Sequence, residues 1–128
     1  MNTFTMNGYF WKIRFVNPLS AYLIDRTNTR TVATTDPAEH TVYLSNALHG
    51  DFLTRVLIHE LGHCAMASYH LLDDIHRMTY PKYWIEAEEW VCNFIADYGF
   101  QIFSAAYDVL GDDAWLYVPY HFDRQLAS

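Results

Sequence analysis

The sequence predicts one α+β domain over residues 1–128: a small antiparallel sheet or hairpin packed on a long helix and on a second, ligand-bearing helix. Three observations predict it. Two β-branched runs, TRTVATT and HTVYLS, flank the turn-forming residues Asp36-Pro37-Ala38-Glu39. Residues 51–68, DFLTRVLIHELGHCAMAS, place apolar residues at helical spacing, and residues 84–98, WIEAEEWVCNFIADY, do so again. With 52% hydrophobic and 18% charged residues, a chain of 128 residues can bury a core.

In chain order, YFWKIRFV at 9–16 reads as a strand closed by Asn17-Pro18. Residues 19–25 fit a short helix or a strand equally, and RTNTR at 26–30 is a polar connection. After the hairpin, Asp51 is the expected N-cap of the first helix. Residues 69–83 read as a connector in which Pro81 bars helix continuation. Gly99 is placed to end or bend the second helix, FQIFSAAYDVL follows as a third, and the aromatic tail WLYVPYHFDRQLAS is expected to pack back on the domain. No apolar run approaches a membrane span, and the polar N-terminus lacks the features of a signal peptide. Cys64 and Cys92 suit small buried thiols in a reducing compartment, so a cytoplasmic location is expected. A net charge of −7 argues against direct nucleic-acid binding.

The chemistry lies in His59-Glu60-Leu61-Gly62-His63. Residues i and i+4 lie one above the other on a helix, so both imidazoles can face one metal ion. Glu60, about 100° round the helix from His59, can reach a water on that metal and act as general base. The donor set selects Zn²⁺, which needs a third protein ligand beside its water. A third histidine one turn on is ruled out, because Met66 and Tyr69 occupy the positions where Gly and His would stand. The second helix offers Glu86, Glu88 and Glu89. Glu89 lies among Ile85, Cys92, Asn93 and Ala96 and is the first candidate, with Glu86 the alternative. Glu88 falls on the side of Val91 and Ile95. Asn93, one turn beyond Glu89, is expected to hydrogen-bond a ligand histidine and fix its tautomer. Strand 41–45 is the expected edge for an extended peptide. His76, Tyr80, Tyr83, Tyr117 and His121 are the unranked candidates for stabilising an oxyanion.

With those residues identified, the chain resembles the ImmA/IrrE-like family of small metallopeptidases of bacteria, phages and mobile elements. The resemblance lies in RVLIHELGH at 55–63, preceded by HTVYLSNAL, and in EEWVCNFIA at 88–96. The second stretch is similar to the family's E-x-x-A-N/D/E-x-F-A helix, with Glu89 at the ligand position, Cys92 at the small one and Asn93 at the polar one. The resemblance implies a stand-alone, minimal zincin-like domain of the gluzincin type. It implies a zinc metalloendopeptidase that cuts a specific regulatory protein such as a transcriptional repressor, in the cytoplasm of a bacterial host if phage encoded. The competing expectation is a catalytically silent or virion-structural protein of the same fold that acts by protein binding.

Overall fold

The computed structural model, which describes residues 2–116, opens on a hairpin that the strand and helix patterns above do not anticipate. Strand β1 (Thr3–Met6) pairs antiparallel with β2 (Tyr9–Val16) through the two-residue turn Asn7-Gly8, whose φ values are +50° and +80°. Asn-Gly is the pair that tolerates two positive φ angles in succession, so the signal is present in the sequence. A 3-10 turn over Ala21–Leu23 resolves the ambiguous stretch, capped by Ser20 Oγ accepting from Tyr22 N at 3.1 Å. Strands β3 (Ala33–Asp36) and β4 (Thr41–Ser45) form the expected hairpin.

The α+β class holds, but the sheet is mixed rather than antiparallel. Its order is β1-β2-β4-β3, with β2 and β4 parallel from Lys12↔Thr41 to Val16↔Ser45. The physical reason is the long connection over 17–32, which stays at the end of the sheet where β2 finishes and steps past one strand position; β3 then runs back and β4 returns between β3 and β2. As a result β4 is an inner strand, paired on both sides and buried at all five positions. The strands at the edges are β1 and β3.

Helix α1 (Gly50–Ser68) follows, and Asp51 sits in its first turn rather than at the cap, where a carboxylate still complements the helix dipole. The cap position is His49. One side of α1 meets the sheet: Val56 and Cys64 pack with Trp11, Ala33, Val42 and Leu44. The opposite side joins a smaller cluster of Met66, Ile75 and Cys92. Being covered on two sides explains why alternate residues from Glu60 to Ser68 are buried. The end of α1 is tied to the first hairpin, with Trp11 Nε1 donating to Ser68 Oγ at 2.9 Å and Asn7 Nδ2 to Ser68 O at 2.8 Å.

The expected connector contains a short helix, α2 (Leu72–Met78), whose Ile75 enters the second cluster. Helix α3 (Trp84–Phe94) continues into a π-helical turn over Ile95–Gly99. Helices α1 and α3 approach closely at Gly62, where an added Cβ would lie 3.1 Å from Cys92 Sγ. This contact brings together the helix faces that carry His59, His63 and Glu89.

The chain gathers into two compact units, Met1–Asp97 and Tyr98–Ser128. In the second, α4 (Phe100–Leu110) ends at Gly111 (φ +62°) and a 3-10 turn over Gly111–Trp115 returns Trp115 to Phe103, with ring centroids 4.7 Å apart. Tyr117, His121 and the rest of the tail lie outside the described residues. Among the described residues no helix is long and apolar enough to cross a membrane.

Candidate metal centre

The helical spacing of α1 puts His59 Nε2 and His63 Nε2 3.2 Å apart, with the rings edge to face. From α3, Glu89 reaches both: Oε2 lies 3.1 Å from His59 Nε2 and Oε1 lies 3.0 Å from His63 Nε2. Donors each about 2.0–2.1 Å from a tetrahedral zinc stand roughly 3.3 Å from one another. The observed spacings are slightly tighter, so the three side chains fit one small tetrahedral cation with little movement. His59 Nδ1 is buried with no hydrogen-bond partner among the described residues. Only Nε2 of that ring is available to the groove. Glu86 is exposed and lines no part of it.

Glu60 is buried beside this cluster, with Oε2 3.7 Å from His59 Nε2. Thr35 on β3 donates its hydroxyl proton to Glu60 Oε1 at 2.9 Å, which orients the carboxylate. Burial pushes the Glu60 carboxyl upward, against the pull of His63, His59 and Thr35. A carboxylate made more basic in this way is better suited to taking a proton from water. Hydrogen bonds from His59 and His63 hold Glu89 well below the ordinary carboxylate range. Burial alone would lower His63, but hydrogen bonds with Cys92, Glu88 and Glu89 outweigh it and the imidazolium is pushed up to about 12. A proton on His63 thus supplies part of the positive charge that these carboxylates favour.

Two expectations about the surroundings need correction. Asn93 does not bond a histidine; its Oδ1 accepts from Arg55 Nη2 at 3.4 Å, and Arg55 Nε donates to Asp97 at 2.8 Å. The residue behind His63 is Glu88, whose Oε1 lies 3.4 Å from His63 Nδ1 while Oε2 pairs with Arg26. A helical wheel assigns Glu88 to the side away from Asn93. That placement is geometrically fair, but the close approach at Gly62 lets α1 meet α3 on the Glu88–Cys92 side. Burial of Glu88 raises its carboxyl, and His63 and Arg26 more than reverse this, leaving it lowered. Arg26 also lies 3.4 Å from Glu89 Oε1. Nothing in RTNTR distinguishes Arg26 from a surface charge until the fold is known.

The centre opens into a groove of about 740 Å³ whose walls include Tyr22, Val32, Thr34, Phe52 and Ile85. Strand 41–45 cannot serve as its docking edge, since β4 is paired on both sides; β3 borders the groove instead. Ser45 N donates to Val32 O at 2.8 Å, which fixes the alternation of the ladder. Thr34 and Asp36 therefore face β4, and Ala33 and Thr35 turn their backbone polar groups to the outer edge. Of the oxyanion candidates, His76 stacks on Trp84 at 3.9 Å, and His76, Tyr80 and Tyr83 are all absent from the groove lining. No protein-family model matches the chain, and neither a curated protein nor a solved structure matches it.

Proposed function

We propose that this chain is a zinc-dependent metallopeptidase that hydrolyses a peptide bond in a specific regulatory protein. The observation that carries this reading is the convergence of His59, His63 and Glu89 within 3.0–3.2 Å beside a buried, oriented Glu60. A structural metal has no use for such a base. Held by these three residues, zinc supplies Lewis acidity, lowering the pKa of a water and polarising a carbonyl. His59 and His63 bind through Nε2, and Glu88 at His63 Nδ1 favours the tautomer that leaves Nε2 unprotonated for the metal. Glu60 takes the proton of the attacking water and passes it to the departing amine. Thr35 keeps one Glu60 oxygen occupied, so the other performs the transfer. The outward polar groups of Ala33 and Thr35 suit an extended peptide added to the β3 edge. An extended segment of a repressor-like protein fits such an edge, and the net charge of −7 gives no footprint for nucleic acid.

Glu60→Gln separates the chemistry from the metal. The variant is expected to keep about one zinc per chain and to lose cleavage by about a hundredfold or more. Cleavage at the wild-type rate by the zinc-loaded variant would refute the Glu60 role. A second reading, a silent or virion-structural protein that acts by binding, is favoured by Trp90 and Phe94. Their rings stack 5.5 Å apart on α3 and stand 66% and 41% exposed. That reading predicts no cleavage by the zinc-loaded wild-type chain.

A further inference from the structure

We propose that Arg26 is the residue that stabilises the negative charge developing on the scissile carbonyl oxygen, a role that rests on the peptidase reading above. Hydrolysis at a metal centre benefits from a fixed donor aimed at that oxygen. Of the five candidates suggested by the sequence, His76, Tyr80 and Tyr83 are off the groove, and Tyr117 and His121 lie outside the described residues. Among the described residues the groove walls carry two arginines, Arg26 and Arg55. Arg55 is the more committed and stands farther from the ligand set: its Nε and Nη2 donate to Asp97 and Asn93, whereas Arg26 pairs with Glu89 itself. Arg26 engages Glu88 and Glu89 through Nη2 alone, and its side chain is 47% exposed. Its remaining donors are thus available beside a metal ligand, with the guanidinium orientation fixed from behind.

The loop that delivers Arg26 is built for position rather than for reach. Asp25 Oδ1 accepts from Thr27 N at 2.9 Å, Thr29 N at 3.0 Å and the Thr27 hydroxyl at 2.6 Å. Asp25 N donates to Thr29 O at 2.9 Å, and Asn28 takes the left-handed conformation (φ +62°) that closes the turn. Arg30 Nη1 donates to the carbonyls of Pro18 and Ser20, and its Nη2 to that of Leu19. Residues 25–29 thereby form a closed turn that holds Arg26 against Glu88 and Glu89 of α3. Such preorganisation is what makes an electrostatic donor effective, because no reorganisation is needed as charge develops. In the step itself the water oxygen bonds to the carbonyl carbon, the carbonyl π pair moves onto oxygen, and Arg26 N–H groups hold that oxygen. The water proton goes to Glu60. Collapse breaks the C–N bond, and Glu60 returns the proton to the amine.

The test uses full-length chain at saturating zinc, a pooled library of internally quenched peptides, and a phosphinic peptide carrying the sequence of whichever pool member is cut. Arg26→Gln is expected to retain about one zinc per chain, because His59, His63 and Glu89 hold it. It should lose about 10²–10³-fold in kcat with little change in KM, and bind the phosphinic peptide weaker by a similar factor. Arg26→Lys should recover part of both losses, a rescue that a purely structural role would not tie to inhibitor affinity. Tyr22→Phe removes another exposed donor of the groove wall and tests the rival assignment. If wild type cuts and Arg26→Gln stays within about threefold, or if the loss falls on Tyr22→Phe instead, the Arg26 role is overturned and the peptidase reading stands. If zinc-loaded wild type cuts no member of the pool, the peptidase reading falls and takes this role with it.

Discussion

Replacing Glu88 by Gln tests the one residue at the centre that a helical wheel directs away from it. The change keeps the shape of a side chain only 7% exposed and removes its charge. Two effects act in the same direction. The carboxylate loses its charge-assisted hold on His63 Nδ1, and the site loses a negative charge that favours any cation. Outer carboxylates behind a ligand histidine are typically worth 10–100-fold in metal affinity. Here the Oε1–Nδ1 separation is 3.4 Å, beyond the 2.7–3.2 Å of a good N–H···O bond, and the second oxygen is committed to Arg26. The lower end of the range therefore applies: a loss of about tenfold, or about 1.4 kcal/mol. Competition against a chromophoric chelator at fixed pH measures it directly. An unchanged dissociation constant would refute the orienting role of Glu88. A loss beyond about a thousandfold would make Glu88 a ligand in its own right, since His63, Glu88 and Glu89 also bring donor atoms within 4.8 Å of one another.

Two further predictions follow from the same geometry. Zinc must displace the proton that His63 carries when its pKa is pushed up to about 12. Zinc binding near neutral pH should therefore release about one proton, and affinity should rise with pH. Calorimetry in buffers of different ionisation enthalpy reads the proton count; a count near zero would contradict the protonated metal-free site. The sign for stability is the reverse: a raised His63 favours the metal-free fold fully below its unfolded value of about 6.5, and that contribution fades as pH rises towards about 12. Gly62→Ala sets a helix-propensity gain of about 1 kcal/mol against overpacking of about 1–3 kcal/mol. The contacts in its way are Cys92 Sγ at 3.1 Å and Cys92 Cα and Cβ at 3.4 Å, so overpacking should win by about 1 kcal/mol in urea denaturation. Adding Cys92→Ala should recover most of that loss, and additive effects in the double variant would show that the two residues do not collide.

The sequence alone determined the parts of this protein that depend on local periodicity. His59, Glu60 and His63 are placed on one helix by spacing, and the β3–β4 hairpin is set by β-branched runs around Asp36-Pro37. Glu89 stands out as a candidate because a helical wheel gives its neighbours within α3. Even the unanticipated β1–β2 hairpin is locally encoded, in Asn7-Gly8. What depends on how elements meet was not legible. That β2 and β4 run parallel, leaving β3 as an outer strand, is decided by the 17–32 connection, which carries the chain past the position that β4 later fills. That Glu88 rather than Asn93 stands behind His63 is decided by the angle and depth at which α3 crosses α1, which Gly62 and Cys92 set through a contact no single helix contains. Arg26 reaches the site from 62 residues away in sequence, carried by a loop whose order comes from its own hydrogen bonds. Spacing along a helix fixes which atoms can share a face; only tertiary packing fixes what that face confronts.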